Sequence, residues 1–336
     1  MIPEILVKGA RWALEHGFAT EEDIENCEEG GCLEFADPSL ISERAILRGV
    51  GQIGTLGSGN HYAEIQKVDK ILDPVAAEVM GLFEGQVVVM IHTGSRGLGY
   101  QVADEFMRLC TYNLKVDTDK LPDRQLISPS FHSKEGQDYF HSMAAAANFA
   151  WCNRQVIMSQ TRKAFQTVFP ERDLQMHLVY DVAHNIAKVE KHIVNGEEKE
   201  FIVHRKGATR AFGPGREEVP EKYRKIGQPI LIGGSMGTAS YVLVGTEKSM
   251  ETAFGSTCHG AGRTMSRQKA LRTVTAEEVT SALNEKGIIL KAANKDTVSD
   301  ESPQAYMDIE QVVDACEMVG ISKKVARLVP MGVIKG

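Results

Sequence analysis

"GQVVVMIHTGSRG" (Gly85–Gly97) carries the pattern from which the fold is read. Its run of Val, Met and Ile is short and β-branched, which favours a buried strand over a helix. The run then stops at His92 and a glycine- and serine-rich turn. The same transition recurs along the chain. "HLVYDVA" leads to "HNIAK", "FIV" to "HRKGATR", and "PILI" to "GGSMGT". Rigid strands that deliver polar side chains to the loops at their ends are how sheet proteins build sites. Strands are expected over Gly85–Ile91, Leu174–Tyr180, Glu200–His204, Pro229–Gly234 and Ser240–Gly245. Helical periodicity covers 100–115, 137–168, 276–286 and 309–319, with Thr275 or Ala276 at a helix start. These elements mix without regular alternation, so the fold class expected is α+β: one large domain, 1–336, with mixed β-sheets flanked by helices.

The chain has 336 residues, 43% of them hydrophobic, enough for a sizeable core. It has no apolar run long enough to span a bilayer, so no membrane association is expected. "MIPEILVKGARWALEHG" reads as an amphipathic helix stopped by Gly17 and not as a signal peptide. The six cysteines form no Cys-x-x-Cys pair, which argues against a zinc ribbon or disulfide scaffold and for free thiols in the cytoplasm. The net charge of −7 makes the whole surface a poor match for nucleic acid but leaves room for a local basic groove. The most loop-like segment is Gly207–Pro229, rich in Gly, Pro and charge.

Four features bear chemistry. His61, His92 and His184 each end or follow an ordered run among small or polar neighbours. Such a histidine either closes a structural hydrogen bond or ligates a borderline first-row metal. The turns "GTLGSGN", "GGSMGTAS" and "CHGAGR" let backbone N–H groups approach an anion, with Ser235 and Ser240 as added donors; the alternative is plain tight turns. "RTMSRQKALR" (Arg263–Arg272) and "HRKGATR" (His204–Arg210) are basic. On a helix, Arg263 and Arg267 would share a face that binds phosphate or is simply solvated. Finally, Val333 and Ile334 of the terminal "MGVIKG" would anchor the tail and put Lys335 in the interior. His259, in "FGSTCHGAGR" (Phe254–Arg263), sits among residues too small to be a core setting for it.

Eight blocks in this order resemble the RtcB family of RNA-splicing ligases from about Gly54 to Gly336: "GTLGSGNHYAEIQ", "HTGSRGLGYQVA", "EGQDYF", "YDVAHNIAK", "VHRKGATRAF", "GGSMGTASYVL", "FGSTCHGAGR" and "VIKG". The resemblance implies a GTP- and Mn²⁺-dependent ligase. It joins RNA 3′-phosphate or 2′,3′-cyclic phosphate ends to 5′-hydroxyl ends, in tRNA splicing or RNA repair. By match to "CHGAGR", His259 is the residue that becomes guanylylated. His61, His92 and His184 map to Mn²⁺ ligands, two ions per complete site. Guanylate contacts map to Asn60, Glu64, Asn185, Gly233, Gly234, Ser235, Met236, Ser240, Gly260, Ala261, Gly262, Tyr306 and Lys335. Arg96, Lys206, Arg263 and Arg267 are candidates for triphosphate or RNA phosphates. RNA is the implied partner, with an archease-type activator as a further candidate.

One family feature has no counterpart. The metal-binding Asp-x-x-Cys is not found here; "DIENC" and "DAC" have the wrong spacing. The expectation is a chain without the family's N-terminal portion, with weakened Mn²⁺ and GTP binding and little ligation. The alternatives are an inactive or split-subunit RNA- or nucleotide-binding remnant, and a metal-dependent phosphoesterase.

Overall fold

A computed structural model of the chain describes residues 1–113 and 117–336. Contacts among them fall into two compact units: Met1–Ile24, Glu29–Thr55 and Thr93–Met176 in the first; Glu25–Glu28, Leu56–His92 and His177–Gly336 in the second.

The first unit is helical. Its axis is the helix Lys134–Val168, started by Ser133, whose hydroxyl accepts from the Gly136 N–H. One face of it buries Phe149, Cys152 and Val156 against Leu98 and Val102 of the helix Arg96–Tyr112 and against Ile2, Ile5, Leu6 and Trp12. The expected helix 100–115 thus begins earlier and ends at Tyr112; positions 114 and 115 of that expectation lie outside the described residues. The single N-terminal helix expected up to Gly17 is two, Ile2–Lys8 and Ala10–Glu15. Gly9 breaks it. Its φ is 56°, and a Cβ there would stand 2.2 Å from the Gly31 carbonyl oxygen. Two buried amides on the long helix fix loops. Asn148 accepts from Leu33 N–H at 2.8 Å and donates to Leu6 O at 2.9 Å. Asn153 accepts from Gly54 N–H at 2.7 Å and donates to Thr55 O and Gly94 O.

The second unit holds the strands β1 (Tyr62–Ile71), β2 (Val87–His92), β3 (Asn185–Val194), β4 (Glu197–Lys206), β5 (Ala208–Arg210), β6 (Pro229–Ile232), β7 (Ser240–Gly245), β8 (Ser256–Cys258), β9 (Ile289–Ala292) and β10 (Ser322–Lys335). The main sheet runs β2-β1-β10-β7-β6 with antiparallel neighbours, and β9 pairs parallel with the end of β10. This is the mixed sheet of an α+β fold. Strand β10 reaches so far because it changes partner: Ser322–Leu328 pairs β7, and Gly332–Lys335 pairs β9. Its inward residues enter two cores, Val325, Ala326 and Leu328 with Val68 and Val242, and Val333 with Met236, Val279 and Leu283. Strands β3 and β4 form a hairpin closed at Asn195–Gly196, both left-handed, as a tight hairpin turn requires.

Strand Ser240–Gly245 and helix Ile309–Val319 fall where expected; helix Ala276–Glu285 does too, with a capping box at Thr275 and Glu278. Leu174–Tyr180 is not a strand, which corrects the expectation. Side chains take the place of a partner strand there. Arg162 donates to Met176 O; separately, Asn26 donates to Leu178 O and Tyr223 to Val179 O. Backbone polar groups satisfied in this way need no ladder. No helix among the described residues is long and apolar enough to cross a membrane.

Candidate functional site

The sheet and its satellite hairpins carry four imidazoles into one cluster. His92 ends β2 and stands opposite Tyr62 in register, one residue after His61. His184 immediately precedes β3, and His259 immediately follows β8, which pairs with β5. The ring centroids of His92 lie 5.6 Å from His61, 5.0 Å from His184 and 6.4 Å from His259. His184 stacks on His259 at 4.3 Å. His92 Nε2 and His184 Nε2 are 2.8 Å apart, a hydrogen-bond distance.

Burial holds His92 well below the ordinary imidazole range, and the neighbouring His184, His61, His259 and the more distant Lys335 push it the same way. Burial also lowers His259; a hydrogen bond to the Gly207 backbone opposes this and the Lys206 charge adds to it. Both rings are therefore neutral near pH 7, with lone pairs to offer. Neutral imidazoles are donors of the kind that borderline metals take. The donor set fits such an ion in kind, although among the described residues no group of three or more His, Cys, Asp or Glu stands ready-spaced around one point.

Beside the imidazoles lies a buried acid–base pair. Glu64, on β1, accepts from Gln66 Nε2 at 2.6 Å, and the same amide reaches Ser240 Oγ at 2.9 Å. Burial pushes the Glu64 carboxyl up to about 8, while Gln66 and Lys335 pull the other way. Lys335, on β10, is buried, with Nζ donating to Gly59 O at 2.7 Å and lying 6.0 Å from the Tyr62 ring centroid. Burial brings it down to about 8 against the pull of Glu301, Glu64 and Asp300. The tail is anchored by Val333, while Ile334 is 45% exposed, since alternate residues of a strand face opposite ways.

The glycine turns meet here too. Gly233 bridges Gly260, with Ala261 N–H donating to Gly233 O at 3.2 Å. Gly234 N–H donates to Ser240 Oγ, and Ser235 N–H to Thr238 Oγ1, with Ser235 and Met236 buried. A Cβ on Gly233 would lie 2.2 Å from the Tyr62 hydroxyl oxygen, so any larger residue must displace that ring. After His259 the backbone packs closely on the other turn: a Cβ on Gly260 would stand 3.3 Å from Gly233 O, while one on Gly262 would make an ordinary contact with Met307 Sδ, at 3.7 Å. Asn60 is half-buried; Asn185 and Lys206 are exposed and face each other in the β3–β4 register.

The basic run needs correction. Arg263 is not on a helix with Arg267, because the helix starts at Arg267. Arg263 is held instead by Asp300, Glu301 and Tyr306, and stacks over the Tyr306 ring at 5.2 Å. Arg267 reaches the same two acids while its side chain stays 60% exposed. The acids that hold Arg263 arrive from 37 and 38 residues along the chain, so the run alone could not reveal them. Arg96 belongs to the first unit, where its Nε donates to Thr55 Oγ1 at 3.0 Å; its φ of 53° is a left-handed, strained value.

Several residues escaped the sequence reading. Gln66, two positions after Glu64 and so on the same strand face, was open to recognition by that spacing. Glu301, which accepts from the Tyr306 hydroxyl, gives no local signal. Nor does Glu28, which lies buried against Lys188 at 2.6 Å and Arg210 at 3.3 Å and accepts from Ala183 N–H at 2.8 Å, next to His184.

Neutral imidazoles, the buried Glu64 carboxyl and Lys335 amine, and the backbone of the glycine turns are groups that a phosphate-bearing ligand can use. Comparison with known proteins gives the family. Residues 1–336 match the family described as "RtcB: tRNA-splicing ligase RtcB", and the chain belongs to it. It is 54% identical over 338 residues to the tRNA-splicing ligase RtcB of Pyrococcus horikoshii, 55% over 337 to that of Pyrococcus abyssi, and 56% over 337 to that of Archaeoglobus fulgidus. All of this chain is covered in each case, against 39%, 37% and 70% of the respective relatives.

Proposed function

We propose that the chain acts in GTP-dependent joining of RNA 3′-phosphate or 2′,3′-cyclic phosphate ends to 5′-hydroxyl ends, with His259 as the nucleophile. One observation carries this: a neutral His259 ring, hydrogen-bonded to the Gly207 backbone, that stacks on His184 and stands beside His92. Holding one ring nitrogen leaves the other free to attack phosphorus. The nitrogen bonds to the α-phosphorus of GTP, the bond to the bridging oxygen breaks, and pyrophosphate leaves. A 2′,3′-cyclic end is first opened by water to a 3′-phosphate. An oxygen of the 3′-phosphate then attacks the phosphorus on His259 and the N–P bond breaks; the 5′-hydroxyl oxygen, giving up its proton, displaces GMP to close the phosphodiester. Glu64 reads the guanine edge, with Asn60, Asn185, Ser240, Tyr306 and the Gly233–Met236 turn around the nucleotide. Lys335 and Lys206 offset phosphate charge. His61, His92 and His184 would hold Mn²⁺, whose positive charge stabilises the leaving phosphates. Spliced tRNA halves and broken RNA both supply such ends, and an archease-type protein is a candidate activator.

The test is incubation with α-³²P-GTP and Mn²⁺. The expected result is acid-labile label on the chain, absent from His259→Ala. Labelling that persists in His259→Ala, or nucleotide binding that never yields an adduct, overturns the proposal and leaves a binding protein.

A further inference from the structure

Behind His259 lies a buried arginine that the sequence reading treated only as part of a basic run. Arg205, on β4, has a fully buried side chain. Its guanidinium grips Glu190 of β3 bidentately, at 2.5 and 2.9 Å. The remaining donors turn to the segment that leads into β8. Nε reaches Ser256 Oγ at 3.0 Å, and Nη2 reaches Phe254 O at 2.9 Å and, more weakly, Gly255 O at 3.4 Å. Those carbonyls belong to two residues with left-handed backbone, Phe254 at φ 49° and Gly255 at φ 57°. For Phe254 that conformation is strained and persists only where its surroundings impose it.

The two segments joined by this guanidinium are the two that meet at the nucleophile. Arg205 is two residues before Gly207, whose backbone bonds the His259 ring. Ser256 is three residues before His259. Between them, β5 pairs with β8 from Arg210↔Ser256 to Ala208↔Cys258. The distance between these segments sets how the Gly207 backbone meets the His259 ring, whose Cε1 and Nδ1 edge faces it.

We propose that Arg205, oriented by Glu190, is a positioning residue for His259: it clamps the Phe254–Ser256 turn to the end of β4 so that one imidazole tautomer faces the nucleotide. The inference rests on the reading of His259 as nucleophile. Planar five-donor geometry is what the task needs. Lysine at this position keeps the charge opposite Glu190 but loses the fork and its contacts to the turn.

The test uses the full chain as Arg205→Lys, with Ser256→Ala as a milder variant that removes the Nε acceptor and the hydroxyl's own bond to Phe254 O. With ¹⁵N-histidine labelling, wild type is expected to show a single His259 tautomer, and Arg205→Lys a mixture. Adduct formation from GTP is expected to fall roughly 10²-fold in kcat for Arg205→Lys. KM for GTP should stay within about twofold of wild type, as for a group that acts on orientation and not on binding. Ser256→Ala should shift both readouts in the same direction by less. If Arg205→Lys keeps one tautomer and wild-type kcat, the proposal fails. If it does not fold, Ser256→Ala decides: an unchanged tautomer and rate there equally sink it. A wild-type chain that forms no adduct would count against His259 as nucleophile, while the tautomer measurement would still judge the clamp.

Discussion

Glu64 shows how one buried residue ties the site to pH. Its folded-state value of about 8 lies above the 4.5 of an ordinary glutamate. The folded chain therefore binds an extra proton between those values, and stability falls as pH rises from 4.5 towards 8. Lys335 acts in the next window. Its folded value of about 8 lies below 10.5, so the unfolded chain binds more protons there and stability rises with pH from 8 to 10.5. Glu64→Gln should remove the first slope: between pH 5 and 8 the thermal midpoint of wild type falls relative to the variant. Parallel midpoint curves across that range would show that Glu64 is ionised in the fold. Glu64 and Lys335 were legible as candidates, because the blocks around them are distinctive. The resemblance implied that they meet at one ligand; the antiparallel β1–β10 register is what brings them together across most of the chain.

At the scale of elements, local signals decided what local energetics could decide. The capping box of Thr275 and Glu278 sets the start of the helix Ala276–Glu285, and it was readable as a start because its partners are three residues apart. Thr275→Ala should lower unfolding free energy by about 1 kcal/mol, measured by denaturant titration. Gly233→Ala tests a different constraint, the approach of one turn to the Tyr62 hydroxyl at 2.2 Å from the would-be Cβ. Overpacking there should cost about 1–3 kcal/mol and weaken nucleotide binding, measured by calorimetry. Strands β1, β3 and β10 were missed because charged residues alternate with apolar ones along them, and an alternating run of Lys and Glu resembles a solvated face. In β3 two of these charges, Lys188 and Glu190, point inward to buried partners, Glu28 and Arg205.

For the molecule as a whole, charge is the relevant quantity. A net of −7 means that the RNA of the proposed function would meet a repulsive background and would need a few local cations to draw it. Lys206 is exposed beside His259, whereas Arg205 and Arg210 in the same run are consumed by Glu190 and Glu28. Lys206→Ala should therefore reduce the slope of log affinity for single-stranded RNA against log salt by about 0.7, one phosphate contact. An unchanged slope would remove Lys206 from the RNA path. Both compact units carry parts of the family match, and the four imidazoles all belong to the second.

The order of residues along the chain by itself determined the family and the α+β class, because those properties reside in short contiguous blocks and in the pattern of apolar runs. Only the tertiary structure decided which of the arginines are buried counter-charges, what holds the His259 ring, and that Gln66 joins Glu64 to Ser240. Those outcomes depend on strand register and on partners hundreds of residues apart, and a charge or an imidazole has no fixed role until the fold supplies its neighbours and its distance from water.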